Sequence, residues 1–240
     1  MYAYLVYYIL GFVMLPGIIL GIVAQFKVHT TFEKYNSIPT ARGRSAKDVA
    51  RLMLNGGGCG DTKITEIHGE LTDNYNPKTN TVSLSETVAN QNSISAIGVA
   101  AHEIGHVFQH KQNYAPVKIR GALVPVLNVS SYLMWPLIVL GLIFEIAFYS
   151  TWATVLIYIG VGIYALNTIF YLVTLPVELN ASKRAYKMLE GTNEMTTDEA
   201  NCAKKVLDAA ALTYVAALIT SILSLVRVLL FIFAMRGDRN

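Results

Sequence analysis

The chain has 240 residues, of which 53% are hydrophobic and 15% charged, and its mean hydropathy is +0.43. Soluble globular proteins carry roughly 25% charged residues, so a disordered chain, a secreted disulfide scaffold and an ordinary cytosolic enzyme all fit poorly. The net charge of +3 is small and Lys and Arg form no run, which gives no support for nucleic-acid binding. Cys59 and Cys202 are far apart, which excludes a cysteine-rich zinc site and is typical of a reducing compartment.

The N-terminal residues, Met1 to Phe26, include no charged side chain. A helix needs about 20 apolar residues to cross a bilayer, so this stretch is long enough. A secretory signal would begin with basic residues and end at a small-residue cleavage site. No Lys or Arg precedes Lys27, and we therefore predict an uncleaved transmembrane span over residues 1–26.

Two helices are predicted in the polar segment that follows, residues 27–120. Ser45 is a typical N-cap for the first helix, and Asn55-Gly56 is a typical helix end. Ser93 caps the second helix, which we expect to run to about His110.

Two strands are predicted between these helices. Lys63–Leu71 and Thr81–Ser85 alternate apolar and polar residues, and the turn-rich residues 73–80 between them predict a hairpin. The strand Thr81–Ser85 is a candidate edge to which an extended substrate adds. His68 and Tyr75 flank the hairpin and can hydrogen-bond a tetrahedral intermediate, although plain strand and turn roles are favoured.

Two further spans are predicted after the polar segment. Only Glu145 is charged between residues 121 and 176, and with the cluster at 149–151 it divides the stretch into Ala122–Phe144 and Trp152–Leu175. Pro176 follows and is expected to kink or restart the helix.

A fourth span is predicted over Ala209–Met235, where Arg227 lies close enough to one end to snorkel. The predicted domains are span one at 1–26, a cytoplasmic α+β module at 27–120, spans two and three at 121–176, a cytoplasmic helical segment at 177–208, and span four with the C-terminal tail at 209–240.

The distribution of basic residues predicts the orientation in the membrane. Lys and Arg occur after span one, before span two and after span three, at residues 27–44, 111–120 and 183–187. An excess of Lys and Arg marks cytoplasmic loops, so the module and the 177–208 segment should lie inside the cell. The N-terminus and the Glu145 loop should lie outside. Arg236 and Arg239 disagree with this arrangement, which leaves the side of the C-terminal tail open.

The motif His102-Glu103-Ile104-Gly105-His106 carries the clearest chemical signal. Residues four apart lie on one face of a helix, so both imidazoles can bind one Zn²⁺ ion. Glu103 is placed beside the open coordination position, where it can act as general base towards a zinc-activated water. A buried histidine pair without a metal is the alternative, but it does not account for a Glu between them.

A third protein ligand is needed, and the same helix does not supply it. His110 lies two turns from His102, which is too far to share the ion. The longer motif with a third His would need Gly three residues after His106 and His three further on. Gln109 and Gln112 occupy those positions, so that subclass is excluded.

Two acidic residues remain as candidates for the third ligand. Glu145 is separated from His102 by one membrane crossing and therefore lies on the other side. Glu178 comes two crossings later and returns to the same side, at the inner end of span three. The predicted topology therefore favours Glu178, with an acidic residue at the membrane interface as the alternative.

Several runs of sequence resemble the bacterial membrane-bound neutral zinc metallopeptidase family of the YugP type, a gluzincin-like HExxH group. The resemblance extends over most of the chain, and the runs that carry it are Gly69–Pro77, Ser93–His106, Tyr114–Pro116, Leu175–Ser182 and Ala209–Ala217. The resemblance implies a multi-pass zinc peptidase with Glu103 as catalytic base. It also implies His102, His106 and Glu178 as zinc ligands.

The chain departs from the family pattern at two positions. Asn74 stands where many relatives have His, which weakens a catalytic role there. The wider Glu-ligand class often has Asp four residues after the Glu, where this chain has Ser182. Carboxylate support of a ligand His is therefore unassigned, and Asn180 is a candidate substitute.

We therefore predict a mainly α membrane protein with about four transmembrane helices and a small α+β zincin-like cytoplasmic module between spans one and two. Its predicted function is that of a multi-pass, zinc-dependent endopeptidase of the cell membrane, with one Zn²⁺ per chain and membrane or unfolded proteins as substrates. Its partners are the substrate protein or peptide and the lipid bilayer. The alternative is a non-proteolytic scaffold or assembly factor with a structural zinc. An intramembrane protease is rejected because the apolar part of the motif helix, Ile94–Ala101, has only eight residues.

Overall fold

The computed structural model of the chain describes residue 9 and residues 11–148 and 151–237. A short 3₁₀ turn, Phe12–Met14, precedes the helices. The helices are α1 Leu15–Asn36, α2 Ala46–Gly56, α3 Glu86–Ala89, α4 Ile94–Lys111, α5 Ala115–Phe148, α6 Thr151–Gly191 and α7 Thr197–Gly237. The strands are β1 Lys63–Ile67, β2 Asn74–Asn76 and β3 Thr81–Ser85. The fold is therefore mainly helical with one small sheet.

Among the described residues, four helices are long and apolar enough to cross a membrane, in agreement with the predicted number. They lie within Phe12–Asn36, Ala115–Gly141, Val155–Gly191 and Thr197–Ala234. The beginning of the predicted first span and Arg239 of the tail lie outside the described residues.

Two details of these helices differ from the predictions. Glu145 lies within the last turn of α5 and not in a loop, because the helix continues to Phe148. Helix α6 runs through Pro176 and does not restart there. Proline removes one backbone hydrogen bond and crowds the preceding turn, and a long helix with many other bonds can accommodate that loss.

The contacts divide the chain into two compact units. The polar unit comprises Val23–Lys118 and Pro176–Thr213, and the apolar unit comprises Met1–Ile22, Ile119–Leu175 and Tyr214–Asn240. The polar unit therefore includes parts of α1, α5, α6 and α7 together with α2, α3, α4 and the three strands. The domain boundaries given above stay predictions.

Helix α4 is at the centre of the polar unit. Its side chains Ile97 and Ile104 are almost completely buried, together with Leu54 of α2, Leu84 of β3 and Leu189 of α6. Burying each of these side chains contributes about 1.5–3 kcal/mol to folding. Because α4 packs into one core with residues of α2, β3 and α6, the polar groups on α4 are carried by a well-packed helix.

The two predicted helices of the polar segment are confirmed. Ser45 caps α2 by accepting a hydrogen bond from Asp48 N, and the helix ends at Gly56. Ser93 caps α4 by accepting from Ala96 N, and this helix continues to Lys111.

The predicted hairpin is wrong in its pairing. The strand order is β1-β3-β2; β1 runs parallel to β3, and β2 pairs antiparallel with β3. The first strand ends at Ile67 because Gly69 and Leu71 adopt positive φ values of 114° and 53°, which interrupt extended backbone. The chain then forms β2 before it reaches β3.

The predicted substrate-binding edge is wrong for the same reason. Because β3 is the central strand, both of its sides are already paired, and β1 and β2 form the edges of this three-stranded sheet. Tyr75 of β2 lies opposite Val82 of β3.

Within the apolar unit, α1 and α7 approach each other closely at Gly17. A Cβ atom at this position would lie 2.9 Å from the Thr220 hydroxyl and 3.3 Å from a Leu223 methyl group. The Ser224 hydroxyl of α7 contacts the Met14 sulfur at 3.6 Å. Small and weakly polar groups at this interface permit close helix packing, as is usual between apolar helices.

Candidate metal centre

The two motif histidines lie one helical turn apart on α4. The N-cap residue Ser93 fixes the start of this helix, and its hydroxyl also donates to Asn36 Oδ1 of α1 at 2.5 Å. Residues four apart project from the same face, and the imidazole rings of His102 and His106 have centroids 4.8 Å apart. The predicted common face of the motif is therefore present.

Gly105, between the two histidines, allows α6 to approach α4. A Cβ atom at residue 105 would lie 2.6 Å from the carbonyl oxygen of Ala181, closer than real Cβ contacts. A side chain here would push the α6 backbone away from α4. Glu178 precedes Ala181 in α6 and Ser182 follows it. The close contact therefore places both residues opposite the histidines.

The structure brings His102, His106 and Glu178 together. Glu178 Oε2 lies 3.2 Å from His102 Nε2 and 3.5 Å from His106 Nε2. One ligand atom from each residue lies within 4.8 Å of the others. The Glu178 side chain is 2% exposed, whereas those of His102 and His106 are 16% and 14% exposed. Access from solvent is therefore on the histidine side.

The opposite nitrogen of each imidazole has its own hydrogen-bond partner. His106 Nδ1 lies 2.9 Å from Gln109 Oε1, and His102 Nδ1 lies 3.2 Å from the Ser182 hydroxyl. A carboxamide oxygen can only accept, so this contact places a hydrogen on His106 Nδ1, and the neutral form of His106 then presents its lone pair at Nε2. This is the tautomer that a metal-binding Nε2 requires.

Gln109 is itself held in place by α6. Its Nε2 atom donates to the Val177 carbonyl at 2.7 Å and to Asn180 Oδ1 at 3.0 Å. These two acceptors fix which end of the amide faces His106. Arg184 Nε also donates to Asn180 Oδ1, at 2.7 Å. Asn180, suggested above as direct support for a ligand histidine, therefore acts through Gln109, and Ser182 is the residue that contacts His102.

We did not predict from the sequence that Gln109 hydrogen-bonds His106. Gln109 served there only to exclude the longer motif with a third histidine. Its position three residues after His106 on the same helix was the available signal, because side chains at that spacing are neighbours. Gln109 is completely buried. A buried carboxamide needs several hydrogen-bond partners, and the partners of Gln109 include His106, so its burial also holds the His106 ring in place.

The donor set fits a zinc ion. Two imidazole nitrogens and one carboxylate oxygen are common zinc ligands, and three protein ligands leave a fourth position for catalysis. Within the described part of the chain, this is the one group of three or more His, Cys, Asp or Glu side chains close enough to hold a metal ion.

Glu103 lies beside the three candidate ligands and is 7% exposed. Burial raises the pKa of Glu103, and positive charge on His106 and His102 acts in the opposite direction. Burial also raises the pKa of the nearby Asp73, which accepts hydrogen bonds from the Ser85 N–H and hydroxyl. A carboxyl group whose pKa is raised above its ordinary value is suited to both accepting and donating a proton near neutral pH.

The other candidate residues have partners elsewhere. The His68 side chain is 97% exposed and pairs with Glu86. The Tyr75 hydroxyl donates to Asn80 Oδ1 at 3.2 Å, and the Tyr75 ring makes an edge contact with His110, with centroids 5.5 Å apart. The strand and turn roles favoured for His68 and Tyr75 agree with these contacts.

The chain is similar to one protein family and to a bacterial protein. A family model described as "Putative neutral zinc metallopeptidase" matches residues 10–233. A Bacillus subtilis (strain 168) protein named "Putative membrane protease YugP" is 38% identical over 229 residues, which cover 95% of this chain and 98% of that protein. No solved structure matches the chain.

Proposed function

Because this chain belongs to the neutral zinc metallopeptidase family, we propose that it is a membrane-anchored, zinc-dependent endopeptidase. The observation that carries the proposal is the convergence of His102, His106 and Glu178. The Nδ1 atoms of the two imidazoles are hydrogen-bonded to Ser182 and Gln109, which leaves both Nε2 atoms facing Glu178. We assign these three side chains as ligands of one zinc ion per chain. The four long apolar helices support anchoring in a bilayer.

Glu103 is proposed as the general base. Zinc, when bound, lowers the pKa of water and polarises the scissile carbonyl group. Glu103 accepts the proton of the water whose oxygen attacks the carbonyl carbon, and it then donates that proton to the amine as the C–N bond breaks. Its burial beside the two imidazoles keeps this carboxyl group close to the reacting atoms and away from bulk water.

The proposed substrates are membrane proteins or unfolded chains at the cytoplasmic face of the cell membrane. The excess of Lys and Arg in the polar segments supports this orientation. The candidate ligands of α4 and α6 belong to the polar unit, and helices α1, α5, α6 and α7 each include residues of both units.

Cleavage of an unfolded protein in the presence and absence of zinc tests this function. The detergent-purified, zinc-loaded protein is expected to produce fragments detectable by mass spectrometry. Fragmentation should stop after treatment with a chelator and return when zinc is added. Persistent fragmentation without zinc would contradict the proposal. If zinc binds stoichiometrically and neither unfolded nor membrane-protein substrates are cleaved, the scaffold function with a structural zinc is favoured.

Substitution of the partner of His106 should weaken zinc binding. Gln109→Leu removes the acceptor for His106 Nδ1 and frees the imidazole to rotate, so we expect about 10- to 100-fold lower zinc affinity. Competition with a chromophoric chelator measures this change directly.

The matched control for that variant is Gln112→Leu, which makes the same substitution three residues further along, at an exposed position. Gln112 accepts a hydrogen bond from Arg184, and the hydrogen bonds of His102 and His106 in the described part of the chain go to other residues. Equal zinc affinity in Gln109→Leu and wild type would show that Gln109 does not position His106.

A further inference from the structure

A basic cavity lies in the polar unit, apart from the candidate metal centre. It has a volume of about 320 Å³ and is lined by side chains of α1 and α7, namely Lys27, Thr31, Lys34, Tyr35, Lys205, Asp208 and Ala209. None of these residues takes part in the proposed cleavage reaction. The cavity therefore needs its own explanation.

The charges around this cavity are not balanced. The one acidic lining residue, Asp208, accepts a hydrogen bond from Lys204 at 2.7 Å, so its charge is paired with a lysine that does not line the cavity. Within the described residues, Lys27, Lys34 and Lys205 form no ion pair. The Lys34 ammonium group lies 5.3 Å from the centre of the Tyr35 ring. Three ammonium groups thus remain for an external anion.

The residues of α1 that line the cavity share one helical face. Lys27, Thr31 and Lys34 are separated by four and three residues, so two ammonium groups and one hydroxyl project in the same direction. Lys205 adds a third ammonium group from α7. Phosphate oxygens are suitable acceptors for such a set, because each can accept charge-assisted hydrogen bonds.

The cavity occurs where both helices change from charged to apolar sequence. Lys27 is the first charged residue of α1, and no charged residue follows Asp208 in α7 until Arg227. Val23, one turn before Lys27, is apolar and 50% exposed. In helices that span a membrane, this level corresponds to the lipid head groups, and basic pockets on the cytoplasmic side bind anionic lipids.

We propose that this cavity binds the phosphodiester head group of an anionic phospholipid. The ammonium groups of Lys27, Lys34 and Lys205 contact the phosphate, and an acyl chain lies along the apolar surface of α1 beside Val23. The lipid would hold α1 and α7 together at the membrane surface. Free inorganic phosphate offers the same oxygens but no chain to cover the apolar surface.

Lipid binding to the full-length protein in detergent tests this inference. Native mass spectrometry would count bound phosphatidylglycerol on the wild type and on a triple variant, Lys27→Gln with Lys34→Gln and Lys205→Gln. Each basic residue near a membrane surface contributes about fivefold to binding, so the triple variant should bind about a hundredfold more weakly. The control triple, Lys78→Gln with Lys118→Gln and Lys183→Gln, removes the same charge from exposed positions outside the cavity.

Phosphatidylcholine and inorganic phosphate complete the experiment. Selective binding of phosphatidylglycerol that is lost in the cavity triple but retained in the control triple supports the inference. Equal loss in both triples would assign binding to general surface charge and overturn it. Equal occupancy by phosphatidylcholine would also overturn it, as would inorganic phosphate that displaces the lipid at comparable concentration. Because the readout is lipid binding, it is independent of whether the protein cleaves peptides.

Discussion

Glu103→Gln is expected to lower the rate of peptide-bond cleavage by about 10²- to 10⁴-fold while the protein still binds one zinc ion per chain. Glutamine keeps the size and polarity of the side chain but cannot accept a proton at its amide. Because Glu103 is not among the three grouped ligand residues, zinc affinity should change little. Initial cleavage rates on an unfolded substrate, together with the zinc content of the same samples, measure both effects.

The matched control for this variant is Glu33→Gln. It makes the same chemical change at a Glu of α1 whose side chain is 69% exposed. This control should cleave at the wild-type rate. Wild-type activity in Glu103→Gln would refute the proposed base, whereas loss of zinc from this variant would place Glu103 among the ligands.

Glu178→Ala is expected to lose zinc binding, by more than the 10- to 100-fold decrease that follows loss of an outer partner. Its carboxylate is the one candidate ligand contributed by α6, and removing it leaves two imidazoles from a single helix. Cleavage activity should be lost in parallel. Zinc affinity by chelator competition is the direct measurement, and the melting temperature of the metal-free protein shows whether the fold is retained.

Glu145→Ala serves as the comparison, because it removes the other acidic candidate of the predicted spans. Glu145 lies in the last turn of α5, and the predicted topology puts it on the opposite side of the membrane. This variant should retain both zinc and activity. Loss of zinc in Glu145→Ala with retention in Glu178→Ala would overturn the ligand assignment and the topology together.

Glu103→Gln and Glu178→Ala together also separate the proposed enzyme from the scaffold alternative. A structural zinc site needs its ligands but no neighbouring base. A scaffold would therefore be impaired by Glu178→Ala and unaffected by Glu103→Gln. An endopeptidase would lose its function in both cases, although only the first variant would lose the metal.

Local features of the fold could be predicted from the sequence. The N-caps Ser45 and Ser93 depend on hydrogen bonds within three residues, and both helices begin where those residues indicate. The long apolar runs predict four helices because only length and composition are required. The spacing of His102 and His106 predicts a shared face because helix geometry alone determines it.

Pairing over longer distances depended on the tertiary structure. The alternation of apolar and polar residues identified β1 and β3. It did not identify the short strand β2 between them in the sequence, and it could not show that β3 lies between β1 and β2 in the sheet. The parallel pairing results from where the chain turns, and Gly69 and Leu71 set those turns by positive φ values that a pattern of alternation does not reveal.

The sequence by itself determined the capped helices α2 and α4, the four long apolar helices and which helix carries the His-Glu-x-x-His motif, because helix periodicity and capping act over a few residues. Only the tertiary structure decided what surrounds that motif. Gly105 permits the backbone of α6 to touch α4, and this contact brings Glu178 to the histidines and Ser182 to His102 Nδ1. The buried hydrogen bonds of Gln109 likewise join residues far apart in the chain. Such contacts depend on how two helices pack, and packing is a property of the whole fold.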